Sequence, residues 1–365
     1  MRLVVTGLGM VTALGFGAVG SCAAIRAGLA RPKPLDGLQV GDGEGGSQPV
    51  TGFPVSEYAE GFFLTGAWLR LAAGSLEDLR HSTGWPPASD TTFWNRTGLI
   101  ALTPFIDAAR FGWSLEQRPR ALQEDFVRPL LALQRLPVSG ERSRALAAGH
   151  CGLAAALRDA SRLLTERSLE RVIIVAADSY ADRPSLEWID GQGRLKQPLR
   201  PVGLMPGQAG ACLLVESEGA ARARGAPRSV LVGGVSLAAS PGRRSMAPEL
   251  GRALAESLLQ VLRAAEVPMP YRGSLVVDLN GEEWKSAVWG HAQVHLTAHV
   301  DFERCRMRIP AESLGELGAA SAAVGAGVAI SDLLRDEDAE TSAIVCSLSD
   351  LGESGVVLFQ RIRES

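Results

Sequence analysis

The chain reads as an α/β protein made of two halves that repeat one order of elements. Three observations predict this. Short apolar runs such as Arg171-Val-Ile-Ile-Val-Ala-Ala and Ser274-Leu-Val-Val-Asp-Leu have the length and composition of strands covered on both faces. Longer stretches with helical spacing of apolar residues lie between such runs, so strand and helix alternate. The alternation occurs twice, on either side of a Glu/Gly/Ala/Arg-rich segment at 217–228. These features predict mainly parallel sheets, with an N-terminal half at 1–217 and a C-terminal half at 228–365.

Leu3-Val-Val-Thr-Gly opens as a buried strand closed by glycine, and 18–29 follows as a helix. The Gly-, Pro- and Asp-rich stretch 31–60 predicts a loop. A helix is expected at 63–80, a strand at 97–103 and a helix at 117–135. Ala- and Leu-rich residues 143–166 carry one long helical pattern after a small-residue turn. Strands are expected at 171–177 and 210–216. Beyond the junction come a strand at 229–237, a helix at 247–266 and a strand at 274–279. A helix at 282–292, a strand at 294–300 and a helix at 315–335 follow, and strands at 342–347 and 355–361 close the chain.

Composition narrows the function. The 365 residues carry a net charge of −3 and no basic tract, so nucleic acid is not an expected partner. Five widely spaced cysteines without a Cys-x-x-Cys pair argue against a disulfide framework and a zinc ribbon, and favour a reducing, cytoplasmic setting. Glycines at 7, 9, 15 and 17 interrupt the first apolar stretch, which fits a buried strand and turn better than a secretory leader. No apolar run is long enough to span a bilayer. His291, His295 and His299 recur every four residues, but the segment after His291 alternates like a strand, so packed or solvated histidines are expected rather than a metal site. Gly7-x-Gly9 lacks the third glycine of a dinucleotide loop, because position 12 is Thr12. No cofactor and no metal are called for.

Several segments in order resemble the β-ketoacyl synthase branch of the thiolase superfamily. VVTGLGMVTALG (4–15) is similar to its opening strand and turn, and AIRAG (24–28) to its first helix end. Arg96-Thr-Gly-Leu-Ile-Ala resembles the strand before the dimer region. RVIIVAADSY (171–180) is similar to the strand that ends beside the active site. PVGLMPGQAGACLLVE (201–216) resembles the Asp-Gly-x-x-x-Gly-Glu-Gly-Ala strand-turn-strand, with Gly203 and Gly207 kept. SLGELGAASAAVGAG (313–327) resembles the Gly-His-x-x-x-Ala-Ala-Gly helix start. The resemblance covers nearly the whole chain. It implies two βαβαβ-type halves in a layered αβαβα arrangement, with a dimer formed through the first half.

Condensation of acyl thioesters needs a thiolate at a helix N-terminus, imidazoles that assist decarboxylation and stabilise an enolate, and backbone amides for the oxyanion. Here the helix opens with Ala147-Ala-Gly-His-Cys-Gly. Three registers are open. The apolar face of Leu157, Ala160, Leu163 and Leu164 puts His150 at the nucleophile position. Matching Gly152 to the family's Cys-x-x-Gly puts Gly149 there. Cys151 falls on it only if Arg158 faces inward. The first histidine turn of the family is Asn280-Gly281-Glu282-Glu283 here, and the second Gly-His is Gly315-Glu316. The family's lysine position holds Ala311, and its Phe-Gly-Phe-Gly-Gly loop becomes 349–355, with Gly352.

The candidate catalytic set is therefore His150, Cys151, Glu282 and Glu316, and the candidate substrate-binding set is Gly149, Gly152, Asn280, Gly281, Gly315 and Gly352. The resemblance, with all three chemical parts altered, implies a non-condensing homologue in fatty-acid or polyketide-type metabolism. Such a protein would pair with an active synthase or a second copy, and would bind acyl-carrier protein or acyl-CoA. Arg118, Arg120, Arg142 and Arg144 are the candidate docking cations, with a solvated face as the plainer reading. The alternative is an acyltransferase or condensing enzyme with an altered site built on His150, Cys151, Glu282 and Glu316.

Overall fold

In strand Arg171–Ser179, Val172, Ile174 and Ala176 enter one core while Ile173, Val175 and Ala177 enter another. A strand with two apolar faces must be covered twice, and that requirement organises the molecule. The structure is a computed structural model, and it describes residues 2–114, 116–227, 229–239, 246–335 and 341–362. Arg228, at the end of the expected junction, lies outside the described residues.

The strands are β1 (Leu3–Thr12), β2 (Gly15–Phe16), β3 (Lys33–Gly41), β4 (Ser47–Gly52), β5 (Thr97–Thr103), β6 (Ser143–Ala147), β7 (Arg171–Ser179) and β8 (Gln208–Ser217), then β9 (Val230–Ala239), β10 (Ser274–Val277), β11 (Arg306–Arg308), β12 (Ser342–Leu348) and β13 (Glu353–Arg361). Among the described residues, eleven of them form one sheet in the order β11-β10-β12-β13-β9-β1-β8-β7-β5-β6, with β2 folded back on β1. Among the described residues, the two halves of this sheet pair where Val4 meets Leu231 and Val5 meets Val230.

Among the described residues, the helices that make the layers include α1 (Ala18–Arg26), α2 (Thr65–Thr83), α3 (Gly152–Thr165), α4 (Ala247–Ala264), α5 (Glu283–Leu296) and α6 (Ser321–Arg335). Helices α3 and α6 lie between the two half-sheets, and α3 touches β5 and β7 on one side and β9 and β13 on the other. Helix α2 covers the outer face of the first half-sheet, and α4 and α5 cover the outer face of the second. The result is the layered α/β arrangement expected of the thiolase-like fold.

Four expectations are corrected. The sheet is mixed: β5–β6, β5–β7, β10–β11 and β10–β12 are parallel, while β1–β8, β7–β8, β9–β13, β12–β13 and β1–β9 are antiparallel. Apolar runs report cover on both faces, not strand direction. The stretch 31–60 holds the hairpin β3–β4, because Leu35, Val40 and Val50 find a satellite core with Leu186, Ile189 and Leu195. Its turn is tied by the Asp42 carboxylate, which accepts from the amides of Glu44 and Gly46. Residues 143–147 leave the helical pattern and pair with β5 as an edge strand. Residues 294–296 continue α5, so His291 and His295 are helical, and no metal-ligating cluster occurs among the described residues.

Candidate functional site

The site lies where the N-terminal ends of α3 and α6 meet between the half-sheets. Strand β6 runs to Ala147 and the chain then turns at Gly149, whose φ of 50° is a left-handed conformation that favours glycine. Residues Gly149–Cys151 form one tight turn that leads into α3. Gly149 and His150 line a cavity of about 500 Å³, together with Phe105, Tyr180, Trp188 and Leu351 among others. A Cβ on Gly149 would stand 2.9 Å from the Phe105 ring, so the aromatic ring occupies the place a side chain would need.

The structure turns Cys151 away from this cavity. Its Sγ lies 3.7 Å from the carbonyl of Ser347, and the residue is 1% exposed. Burial and the nearby Asp278 and Glu353 charges push its pKa far above the ordinary thiol range, so the thiolate form is suppressed. Gly152 begins α3 and packs on Leu102.

The other candidates arrive on two turns. After β10, Asn280 and Gly281 bend the chain into α5; Gly281 has φ 95°, and a Cβ there would lie 2.6 Å from the Gly203 carbonyl. Before α6, Gly315 has φ 70°, and the Glu316 amide donates to the Met205 carbonyl at 2.7 Å. The Gly207 amide returns a bond to the Glu316 carbonyl at 3.0 Å. The two glycines kept from the 201–216 motif thus stitch both turns together. Gly352, with φ 84°, closes the β12–β13 turn that carries Asp350 and Leu351 to the cavity.

Glu316 is the hub. Its Oε1 accepts from His150 Nε2 at 2.8 Å and from the Gly318 amide at 2.6 Å. Its Oε2 accepts from Asn280 Nδ2, and Lys285 Nζ stands 3.7 Å away. Lys285, at 0% exposure, also pairs with Asp278 at 3.2 Å. Burial alone would raise the Glu316 pKa, but the charges of His150 and Lys285, with the bonds from His150 and Asn280, hold it well below the usual carboxylate range. For His150, burial and Lys285 oppose the cation; Glu316, by charge and hydrogen bond, and Asp278 outweigh them and raise its pKa above the ordinary imidazole value.

Glu282 belongs to a neighbouring network. It takes Arg194 through two bonds of 2.7 and 2.8 Å, and Arg194 also binds Asp350 at 3.0 Å. Burial disfavours the Glu282 charge, yet the Arg194 contacts keep its pKa below the ordinary value. Asn280 Nδ2 bridges the networks, donating to Glu282 Oε2 at 2.9 Å. The structure therefore brings His150, Glu316 and Asn280 into direct contact, puts Glu282 one residue away, and leaves Cys151 apart.

Five residues were not foreseen from sequence: Lys285, Arg194, Phe105 and the paired Arg110 and Asp178. Arg110 reaches Asp178 at 3.1 Å, and Asp178 accepts the Ala319 amide at 3.0 Å, which fixes the entry to α6. A charge in an otherwise apolar strand, at Asp178 and Asp278, was the available signal, since a buried charge needs a partner.

Chemically, the site offers one imidazole fixed by one ionised carboxylate. The thiol at the helix entrance, Cys151, is turned from the cavity, and no second imidazole lines the cavity among the described residues. An ionised Glu316 accepts hydrogen bonds and repels a developing enolate.

No protein-family model matches the chain, and no curated protein matches it in sequence. Solved structures do match in shape. A chain of a structure described as a type II polyketide acyl-carrier protein in complex with its ketosynthase bound to the hexaketide aligns at TM-score 0.73 and 16% identity, over 99% of each chain. The ishigamide ketosynthase/chain length factor aligns at TM-score 0.72 and 16% identity, again over 99% of each chain. The oxazolomycin ketosynthase domain of Streptomyces albus JA3453 aligns at TM-score 0.76 and 12% identity, over 100% of this chain and 74% of that one. The chain has the thiolase-like ketosynthase fold.

Proposed function

We propose that the chain is a non-condensing, ketosynthase-like subunit of polyketide- or fatty-acid-type metabolism. It binds an acyl group or an acyl-carrier protein, and it pairs with an active synthase or a second copy. One observation carries the reading: Gly149, not a cysteine, stands at the cavity end of the β6–α3 turn, with Phe105 packed into the side-chain space and Cys151 turned away. Condensation begins with acyl transfer to a thiolate, and this entrance presents none. The similar folds include a chain described as a ketosynthase/chain length factor and one in complex with an acyl-carrier protein, which supports the choice of partners. The unpaired outer edge of β6 is where a partner strand would add.

The test is intact mass after incubation with acyl groups carried on CoA and on an acyl-carrier protein, with and without a malonyl donor. No covalent acyl adduct and no β-ketoacyl product are expected. An acyl thioester on Cys151 would overturn the reading. The alternative, an altered acyltransferase, is favoured by the single open nitrogen of His150, and it requires an acyl adduct on that ring.

A further inference from the structure

On the non-condensing reading, a thiol turned from the cavity accounts for the missing acyl acceptor, but it does not explain why a histidine is held at the cavity wall. His150 is 4% exposed, and only one ring nitrogen is occupied. Nε2 faces Glu316 at 2.8 Å, and Nδ1 has no partner among the described residues. The ionised Glu316 keeps the proton on Nε2, so in the neutral ring the Nδ1 lone pair is free, on a residue that lines the cavity. A carboxylate that fixes one nitrogen of an imidazole and leaves the other open is the arrangement of a general base and its positioning group.

Two further observations point the same way. The amides of Gly149 and His150, the first of the turn into α3, have no hydrogen-bond partner among the described residues. They lie at the positive end of a 14-residue helix, where a developing oxyanion is stabilised. The cavity of about 500 Å³, walled by Phe105, Tyr180 and Trp188, has room for an acyl group and a water molecule together.

The geometry points to a water-dependent activity: hydrolysis of acyl thioesters, with His150 as the catalytic base and Glu316 as its positioning residue. The choice of thioester rests on the acyl-binding reading above. Nδ1 takes a proton from water as the water oxygen bonds to the thioester carbonyl carbon, and the carbonyl π pair moves to oxygen. Collapse of this intermediate breaks the C–S bond. The Nδ1 proton then passes to the departing thiolate, giving a carboxylic acid and a free thiol and restoring the neutral ring. No nucleophilic side chain, metal or redox partner enters the balance.

The experiment incubates the full chain with octanoyl-CoA and follows thiol release against pH. Binding of a ketone analogue, with CH2 in place of the thioester sulfur, is measured separately by tryptophan fluorescence. Release is expected to rise with pH through a midpoint above the ordinary imidazole value. The charges facing His150 are Glu316 from the turn before α6, Lys285 from α5 and Asp278 from the end of β10, and Glu316→Gln removes the strongest stabiliser of the cation. E316Q should move the midpoint to lower pH and slow release, a signature that a purely structural role would not give. His150→Phe should cut release by about 10²–10⁴-fold while the analogue still binds. Should H150F fail to fold, the E316Q midpoint decides. Analogue binding without thiol release overturns the hydrolysis and leaves the acyl-binding reading intact. Absence of both overturns both. Thiol release that persists in folded H150F, or an unmoved midpoint in E316Q, overturns the role of the dyad.

Discussion

Gly149 and Phe105 form a complementary pair, one lacking a side chain and the other filling the gap. A Gly149→Ala substitution meets two costs, a left-handed φ of 50° and a Cβ 2.9 Å from the Phe105 ring. Each is about 1 kcal/mol or more. G149A should lower the denaturant midpoint, and Phe105→Ala added to it should recover the steric part alone. A double mutant no better than the product of its parts would sink the pairing. The His150–Glu316 pair makes a second prediction, on pH. Glu316 has a depressed folded pKa, so its contribution is complete above the ordinary carboxylate value of about 4.3 and is lost as pH falls through the lower folded value. His150 has a raised folded pKa, so its contribution is complete below about 6.5 and is lost as pH rises through the higher folded value. Glu316→Gln leaves Lys285 and His150 short of a buried counter-charge and should cost about 3–5 kcal/mol at neutral pH. Chemical denaturation across the pH range would expose an E316Q loss confined to the acid limb, which is the outcome that contradicts the pair. Position by position, the turns at Asn280–Glu282 and Gly315–Glu316 were legible because their glycines mark bends. The register at Gly149–Cys151 was not, since the apolar face of the helix, the match of Gly152 and the lone cysteine each point to a different one of three adjacent residues, and Gly149 and His150 both line the cavity.

At the level of elements, close approach of helix α2 to strands β1 and β8 rests on missing side chains. Ideal Cβ atoms on Gly9 and Gly210 would run into the backbone of α2 at Ser75 and Leu71, and a backbone cannot swing aside as a flexible side chain does. The Gly7-x-Gly9 sequence that resembles part of a dinucleotide loop therefore serves helix–sheet packing. Gly210→Ala should push α2 outward and cost about 1–3 kcal/mol. The expected observation is a lower urea midpoint with an unchanged slope; an unaltered midpoint would show that α2 has slack the distances do not suggest. The same kind of information explains which elements sequence reasoning found. β7, β12 and α4 carry strong local patterns and were legible. β6 was hidden because Ser143-Arg-Ala-Leu-Ala has no β-branched residue, and its strand form comes from pairing with β5. The β3–β4 hairpin was hidden by its Gly and Pro content, since its three buried apolar residues are stabilised by a satellite core supplied from residues 186–204.

For the whole molecule, the two ends of the long sheet differ in how they are protected. One end is β11, three residues long with two arginines in Arg306-Met-Arg, a short and charged edge of the kind that resists further pairing. The other end is β6, five residues long with Arg144 as its sole charge and with Ala145, Leu146 and Ala147 half-buried. An edge so little defended calls for a cover. Strand β6 also leads straight into Gly149, so whatever adds to this edge touches the support of the cavity. We expect antiparallel addition of the same strand from a second copy when the chain is alone, giving twice the chain mass by light scattering. In such a pair, positions 145 and 147 of one strand lie close to those of the other, and acids placed there repel across the junction. Ala145→Glu with Ala147→Glu should therefore return a single-chain mass with unchanged far-ultraviolet circular dichroism. A native chain that is monomeric at tens of micromolar, and becomes a complex only with an active ketosynthase, would reject self-pairing. It would make β6 the docking edge for a different synthase.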